Sequence, residues 1–489
     1  MSQVALQTRI RLGESLAMIR EHSAPLEEAT TSSLEALEAY SEAKIAMFTR
    51  GGPAGIPHLQ RAIAIDPQFA MAHADLGFRV GDSGQQEMGA EQIRTAYKLR
   101  DRVSDRERRY ITMLYDRQVT GNLQKELQTL ESWAQTYPRD ATARGIMGGW
   151  VTFGTGRYER GIEAAEEAIR LNPDISFPYA GIATHSMCLG RFEEAARALD
   201  RAEKRKLKNP DYVVFRYYLA FLKGDEPGMK REVAHAPEAQ VEAQIMHSQA
   251  LVHARSGRMR EARNLWGHAI ALAQQAGTPE TAALYTVAEA VCEAHCGNWA
   301  SAKKLAQAAV KIARGRDVEY AAAFALARSG ETSVSRRLAA DLEKRFPEDT
   351  PVQFEYLPTL KALFVLDRAP LEAIERLQRA VPFDLAMPGT AFFGNFGSLY
   401  PAYIRGEAYL AARRGQEAAA EFEKVLRHRG LVLADPIGAL AHLQLGRACV
   451  VSGDQSKARS AYSDFLRLWK DADSDIPVLK QARAEYAKL

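Results

Sequence analysis

The stretch GEAYLAARRGQEAAAEFEKVL, Gly406 to Leu426, places Gly406, Tyr409, Ala418, Phe422 and Val425 at the offsets of two short amphipathic helices joined by a turn at Arg413. The next unit repeats the arrangement with Leu445, Gly446, Gly453, Ala458 and Tyr462. Small residues are required where the first helix of a unit, helix A, crosses the second, helix B, because a larger side chain would force the axes apart. Moving outward, Ala62 and Ala96 are 34 apart, Ala168, Ala202 and Ala236 keep that step, and Gly156, Gly190 and Gly224 keep it too. A 34-residue period belongs to stacked helix-turn-helix units, which are normally binding scaffolds.

These residue types resemble the tetratricopeptide (TPR) pattern, W-x2-L-G-x2-Y followed by A-x3-F and a later Pro. The Trp of that pattern is absent from every unit. Turns are predicted near Gly51, Gly84, Gly121, Gly156, Gly190, Gly224, Gly257, Gly297, Gly330, Arg368, Arg413 and Gly453, and Pro67, Pro138, Pro173 and Pro347 stop a helix B. The fold expected is all-α, a TPR α-solenoid: a right-handed superhelix of about twelve helix-turn-helix units with a C-terminal capping helix. Spacing stretches to 40 between Gly257 and Gly297 and between Gly406 and Gly446, which predicts longer helices or loops there.

The expected divisions are an N-terminal helix (about Gln3 to Glu21) and linker over 1–33, a regular array over 34–256, a less regular array over 257–474, and a capping helix over 475–489. A chain of 489 residues with no long Pro/Ser/Gly linker fits a solenoid, whose length has no upper limit because each unit packs only on its neighbours.

Charge excludes several classes. The net charge is +3 with acids and bases interspersed, which is no footprint for nucleic acid. The basic stretches Lys98 to Arg109 and Arg201 to Lys208 read as solvated helix faces, the first interrupted by Asp101, Asp105 and Glu107. No apolar run is long enough to span a bilayer, and Arg9, Arg11 and Glu14 occupy the place of a signal-peptide core, so a cytoplasmic chain is expected as encoded. Cys292, His295 and Cys296 share one side of a helix and form the one metal candidate, with packing of small apolar thiols as the alternative reading. No nucleophile elbow, zincin, P-loop, dinucleotide or kinase motif is present: Arg427-His428-Arg429-Gly430 is not a catalytic loop and Phe393 to Gly397 is not a metal-binding D-F-G. No catalytic residue and no cofactor are expected.

The repeat register predicts the binding surface. Helix A builds the inner wall of such arrays, and its inward positions read Phe78, Tyr115, Trp150, Phe153, Phe177, Met187, Tyr218 and Phe221. An aromatic and Met-rich groove suits a protein or peptide partner, unless individual rings pack on the adjacent helix instead. The bases of a carboxylate clamp for acidic tails are missing. A second candidate is the segment 381–400, which breaks the repeat with Pro382, Pro388, Gly389, Gly394 and Gly397 around Phe392, Phe393, Phe396 and Tyr400. It forms a ligand pocket, a plug of the groove, or a cover over the core where the spacing slips.

Further motifs carry a narrower resemblance. Leu12 to Leu16, Pro25 to Leu37 with Ala39-Tyr40, Lys344 to Thr350, Tyr403 to Tyr409 and Leu468 to Asp473 are similar to the TPR tail of large bacterial transmembrane serine/threonine protein kinases. The resemblance implies a sensing or docking role. It implies no ATP binding or phosphotransfer here, since the chain starts where the tail starts and carries no kinase residue. The functional expectation is a non-catalytic protein-interaction scaffold; the alternatives are the sensor or regulatory tail of a kinase or winged-helix system whose catalytic domain is lost or acts in trans, and a small-molecule sensor.

Overall fold

The computed structural model describes residues 31–489, so the helix expected from Gln3 to Glu21 lies outside the described residues. Ser33 caps the first described helix, Leu34–Arg50, by accepting the Ala36 N–H. Helix pairs follow one another from there, with no strand among the described residues. The chain is an all-α tetratricopeptide-type array.

Each pair forms for the reason the spacing implies. A Cβ on Gly77 would stand 2.7 Å from Ile93, one on Gly406 2.7 Å from Phe422, and one on Gly446 2.6 Å from Tyr462. In all three pairs a helix A glycine receives a large helix B side chain sixteen positions later, so only glycine lets the axes approach this closely. The turns between A and B take a positive φ at Gly84, Gly156, Gly190, Gly224, Gly257, Gly297, Gly330 and Gly453. Arg413 takes φ 60° in the same role without the freedom of glycine. Arg368 is the one predicted turn position without a positive φ.

Stacking of neighbouring units is visible in pairs of side chains one repeat apart. Arg106 meets Asp140 at 2.7 Å, Arg117 meets Asp82 at 2.8 Å, and Lys457 meets Glu423 at 2.5 Å, across 34, 35 and 34 residues. A side chain therefore faces the position equivalent to its own in the next unit, which is what a stacked repeat requires.

Contacts divide the chain into two compact units. Of the described residues, unit 1 holds those up to 152 together with 159–182 and 198–209, and unit 2 holds 153–158, 183–197 and 210–489. The stretch 153–158 goes with unit 2 although its neighbours on both sides in sequence belong to unit 1. One cause is that the Met387 N–H donates to the Phe153 carbonyl at 2.9 Å, drawing 153–158 into unit 2.

Within unit 2, the pairs from Glu242–Arg255 to Gln455–Leu468 return on themselves. The Trp469 indole donates to the Arg255 carbonyl at 2.9 Å, and the Asp473 N–H donates to the Gly257 carbonyl at 3.0 Å. Both stretched spacings have visible causes. Met259–Gln275 and Pro279–Cys296 are long helices, and a short helix, Arg429–Val432, is inserted between Gly415–Arg427 and Ile437–Ser452. The chain closes with helix Pro477–Tyr486, whose Pro477 lies against Gly297. No helix among the described residues is long and apolar enough to cross a membrane.

Candidate functional site

The eight predicted groove residues separate by burial. Phe78 is half-buried, with the Arg79 guanidinium 4.9 Å and the Arg117 guanidinium 5.3 Å from its ring centre. Tyr115 is half-buried and stacks on Tyr97 with centroids 3.8 Å apart. Phe177 is 41% exposed, and Phe221 is half-buried beneath Arg255. The other four correct the expectation of a continuous open groove: Trp150, Phe153, Met187 and Tyr218 are buried and present no face to a partner. Phe153 stacks on His185 at 3.8 Å, and Tyr218 packs on Tyr217 at 5.6 Å. Helical register places a ring on the inward side of helix A but does not say whether another part of the chain already covers it.

In unit 2 the covering part is the segment 381–400. Met387, Phe396 and Tyr400 are buried, and Phe392 and Phe393 are half-buried against the same core. The segment meets successive A helices. Phe392 lies 5.8 Å from Phe153, the Gly394 backbone packs against Leu284, and Tyr400 lies 4.8 Å from Phe324 and 5.5 Å from His295. Glycine is required at the closest approach: a Cβ on Gly389 would sit 2.3 Å from an Asp317 carboxylate oxygen.

Polar ties hold this segment at four places. His247, on Glu242–Arg255, lies with Nε2 2.7 Å from the Gly394 carbonyl and Nδ1 3.0 Å from the Trp266 indole nitrogen. An indole N–H only donates and a carbonyl only accepts, so His247 carries its proton on Nε2 and is neutral. Burial agrees, pushing its pKa down to about 4, and Tyr285 stacks on its face at 4.2 Å. Asp435 accepts the N–H groups of Gly397 at 2.9 Å and Ile437 at 3.0 Å. Burial nevertheless raises its pKa to about 6, against the pull of those N–H groups.

The third tie runs from the Thr390 N–H to the Tyr356 hydroxyl at 3.2 Å, and from that hydroxyl to Asp317 at 2.7 Å. Arg316 closes this group by pairing with Asp317 at 3.1 Å and Asp349 at 2.6 Å. The fourth is an ion quartet at Arg405, which is 1% exposed. Its guanidinium meets Asp384 at 2.5 Å and Glu421 at 2.8 Å, and Lys424 reaches the same two carboxylates at 2.8 and 3.1 Å. Two cations and two anions balance, as burial of charge demands.

Unit 1 fills the corresponding helix A positions with polar side chains from its own repeats. Asp75, 2% exposed, accepts the Tyr40 hydroxyl at 2.7 Å, the Lys44 ammonium at 2.8 Å and the Tyr110 hydroxyl at 3.0 Å. Tyr40, Asp75 and Tyr110 are spaced by 35 residues each, so three consecutive A helices share one carboxylate. Its pKa is lowered by Lys44 and by both Lys44 and Tyr40 hydrogen bonds, which outweigh the opposing effect of burial. On helix B Leu123–Thr136, Glu126 is fully buried with neither carboxylate oxygen hydrogen-bonded, and burial lifts its pKa to about 8.

The metal candidate does not assemble. Cys292, His295 and Cys296 are buried on Pro279–Cys296, and His295 is surrounded by the rings of Phe324, Tyr400 and Tyr403. Burial raises both thiol pKa values above the ordinary range. Among the described residues no group of three or more His, Cys, Asp or Glu side chains could hold a metal ion.

His247, Asp435 and Asp75 stand in no motif, and Arg405 lies in the stretch Tyr403 to Tyr409 without a role that the motif assigns to it. The equal steps of Tyr40, Asp75 and Tyr110 were the one signal available for any of them.

No protein-family model matches the chain, and no curated protein does. Among solved structures, the human IFIT1 dimer with PPP-AAAA is similar over 89% of this chain and 91% of its own, at 12% identity and a TM-score of 0.37. Yeast Tom70 is similar over 93% and 95%, at 14% identity and a TM-score of 0.34. The TPR domain of P58(IPK) is similar over 78% and 97%, at 15% identity and a TM-score of 0.23. Likeness at this level bears on no residue of the site, and the repeat architecture rests on the helix pairing and one-repeat contacts of the chain itself.

Proposed function

We propose that the chain is a non-catalytic protein-interaction scaffold that grips a partner segment on the helix A face of unit 1. The observation that supports this most is internal. In unit 2 the same kind of face holds polypeptide, residues 387–400, through aromatic contacts and hydrogen bonds to backbone groups such as the Gly394 carbonyl and the Gly397 N–H. Recognition of backbone plus a few rings is how grooves of this kind take extended segments. Unit 1 offers Phe78 and Tyr115, half-buried, and Phe177, exposed, as the rings for such a contact.

A photo-crosslinking amino acid at position 78 or 115 tests this, with cross-linked peptides from a host lysate identified by mass spectrometry. The same partner from both positions, lost in a Phe78→Ala/Phe177→Ala variant, is the expected result. Cross-links only within the chain would sink the reading. If the partner is a kinase or a winged-helix regulator, the narrower role suggested by the kinase-tail resemblance, a docking arm acting in trans, gains its first support.

A further inference from the structure

Unit 2 contains a cavity of about 370 Å³ between the turn that follows Cys188, Leu385 and the residues around Arg429. Sites for small molecules span roughly 300 to 1,000 Å³. Its wall divides by chemistry: Tyr158, Phe192 and Leu385 supply aromatic and apolar surface, the consecutive residues Arg427, His428 and Arg429 supply three basic groups, and no carboxylate lines it.

Paired and unpaired arginines both occur in this unit. Arg405 meets Asp384 and Glu421, Arg263 meets Glu293, and Arg447 meets Glu485. Arg427, by contrast, forms no ion pair among the described residues, and Arg429 donates to the Leu222 carbonyl at 3.0 Å without meeting a carboxylate. His428 Nδ1 lies 2.8 Å from the Lys424 carbonyl, so Nδ1 carries a proton and Nε2 is left for another partner.

Close backbone contacts frame these groups. The Tyr158 hydroxyl donates to the Leu385 carbonyl, and Gly430 passes so close to the Met187 carbonyl that a Cβ would stand 1.8 Å from it. The backbone at Gly430 is therefore packed against the Cys188 turn, with the Arg427 and Arg429 side chains exposed beside it.

We propose that this cavity binds a small aryl anion, its carboxylate or phosphate held by Arg427 and Arg429 and its ring lying against Tyr158 and Phe192. A guanidinium presents a planar fork of donors that matches either head group, and ring surface adds contact area at low entropic cost. The site is distinct from the polypeptide-binding face of unit 1 and does not depend on it.

Isothermal titration of the full chain with phenyl phosphate and, in parallel, benzoate tests the assignment, with inorganic phosphate and phenol as single-feature controls. Saturable one-site binding is expected for at least one aryl anion, about tenfold or more tighter than for either control. Whichever of the two aryl anions binds more tightly identifies the head group as phosphate or carboxylate. Arg427→Glu, a change at an exposed side chain, is expected to weaken binding about tenfold or more with the melting temperature unchanged. Leu385→Trp, which fills the cavity, is expected to abolish it. Failure of both aryl anions to saturate, or equal binding to Arg427→Glu and wild type, overturns the proposal. Equal binding of inorganic phosphate also overturns it, as the sign of an adventitious anion only.

Discussion

On the helix A face of unit 1, Asp75 gathers Tyr40, Lys44 and Tyr110 from neighbouring repeats, so each contact lies within one repeat length of the next. On the helix A face of unit 2, His247 and Tyr356 are engaged by a segment that belongs to no repeat, with His247 and Gly394 separated by 147 residues. The same repeat thus satisfies its inner face in two ways. Where the spacing stays regular, polar groups one repeat apart satisfy each other. Where it breaks between Leu377 and Tyr400, the extra chain turns inward and is bound. The break at this one place accompanies an internal occupant, whereas the stretched spacing from Gly257 to Gly297 is taken up by longer helices.

The comparison can be broken most severely at Arg405. Arg405→Met leaves the buried Asp384 and the half-buried Glu421 with Lys424 as their only cation in the quartet, and removal of one member of a buried ionic group costs about 3 to 5 kcal/mol. Denaturant unfolding followed by hydrogen exchange should show lost protection across unit 2 and unchanged protection in 70–120. Equal loss in both regions would mean that the anchor is not local to unit 2.

Asp75→Leu is the matching change in unit 1. It removes three hydrogen bonds at once and strands two buried tyrosine hydroxyls, at a cost of about 1 to 3 kcal/mol for each group left unsatisfied. Here protection should fall in 34–120 and persist in 240–470. Gly389→Ala probes the segment itself, since its Cβ would press on Asp317, and overpacking of this kind costs about 1 to 3 kcal/mol. A stability unchanged within error would show that the segment is loosely held and that the internal-ligand analogy fails.

Acidity sharpens the contrast through two groups of opposite sign. His247 has its pKa lowered from 6.5 to about 4, so the folded state binds fewer protons than the unfolded one between those values, and this group's contribution is lost as pH falls. Asp435 has its pKa raised from 3.8 to about 6, so its contribution is present below 3.8 and is lost as pH rises through 6. Between about pH 4 and 6 the two slopes oppose each other. Relative to wild type, His247→Gln should therefore tilt the unit 2 profile toward stability on acidification and Asp435→Asn should tilt it the other way, each by about 1.4 kcal/mol per pH unit at most. Parallel profiles for both variants would refute the assignment. In unit 1, Glu126 has a raised pKa, so its contribution to stability falls as pH rises from 4.5 to about 8, and Glu126→Gln should remove that part of the slope.

The smallest stability change is expected from Phe177→Ala. Its ring is 41% exposed and otherwise packs over Gly145, so truncation should cost about 1 kcal/mol. Trp150→Ala provides the contrast within the same predicted set, because a buried ring of that size costs about 3 to 5 kcal/mol to remove.

Helix pairing was legible in the sequence because its contacts recur at fixed separations. Gly406 with Phe422, and Gly446 with Tyr462, follow from small and aromatic residues in helical register. The turn positions were legible too, since Gly is favoured where φ turns positive, and Arg413 could be placed by its neighbours although its residue type argues against it. The segment 381–400 was visible as a break in the pattern, but its destination was not.

By itself, then, the sequence determined the helical class, the repeat step and most A-to-B turns, because each depends on residues within about one repeat of one another and leaves a periodic trace. Only the tertiary structure decided which inward rings are core, that Gly394 and Gly397 would meet His247 and Asp435, and that Trp469 would return to Arg255 across 214 residues. Those contacts join parts of the chain with no common period, and their partners are single backbone groups that any residue type could supply.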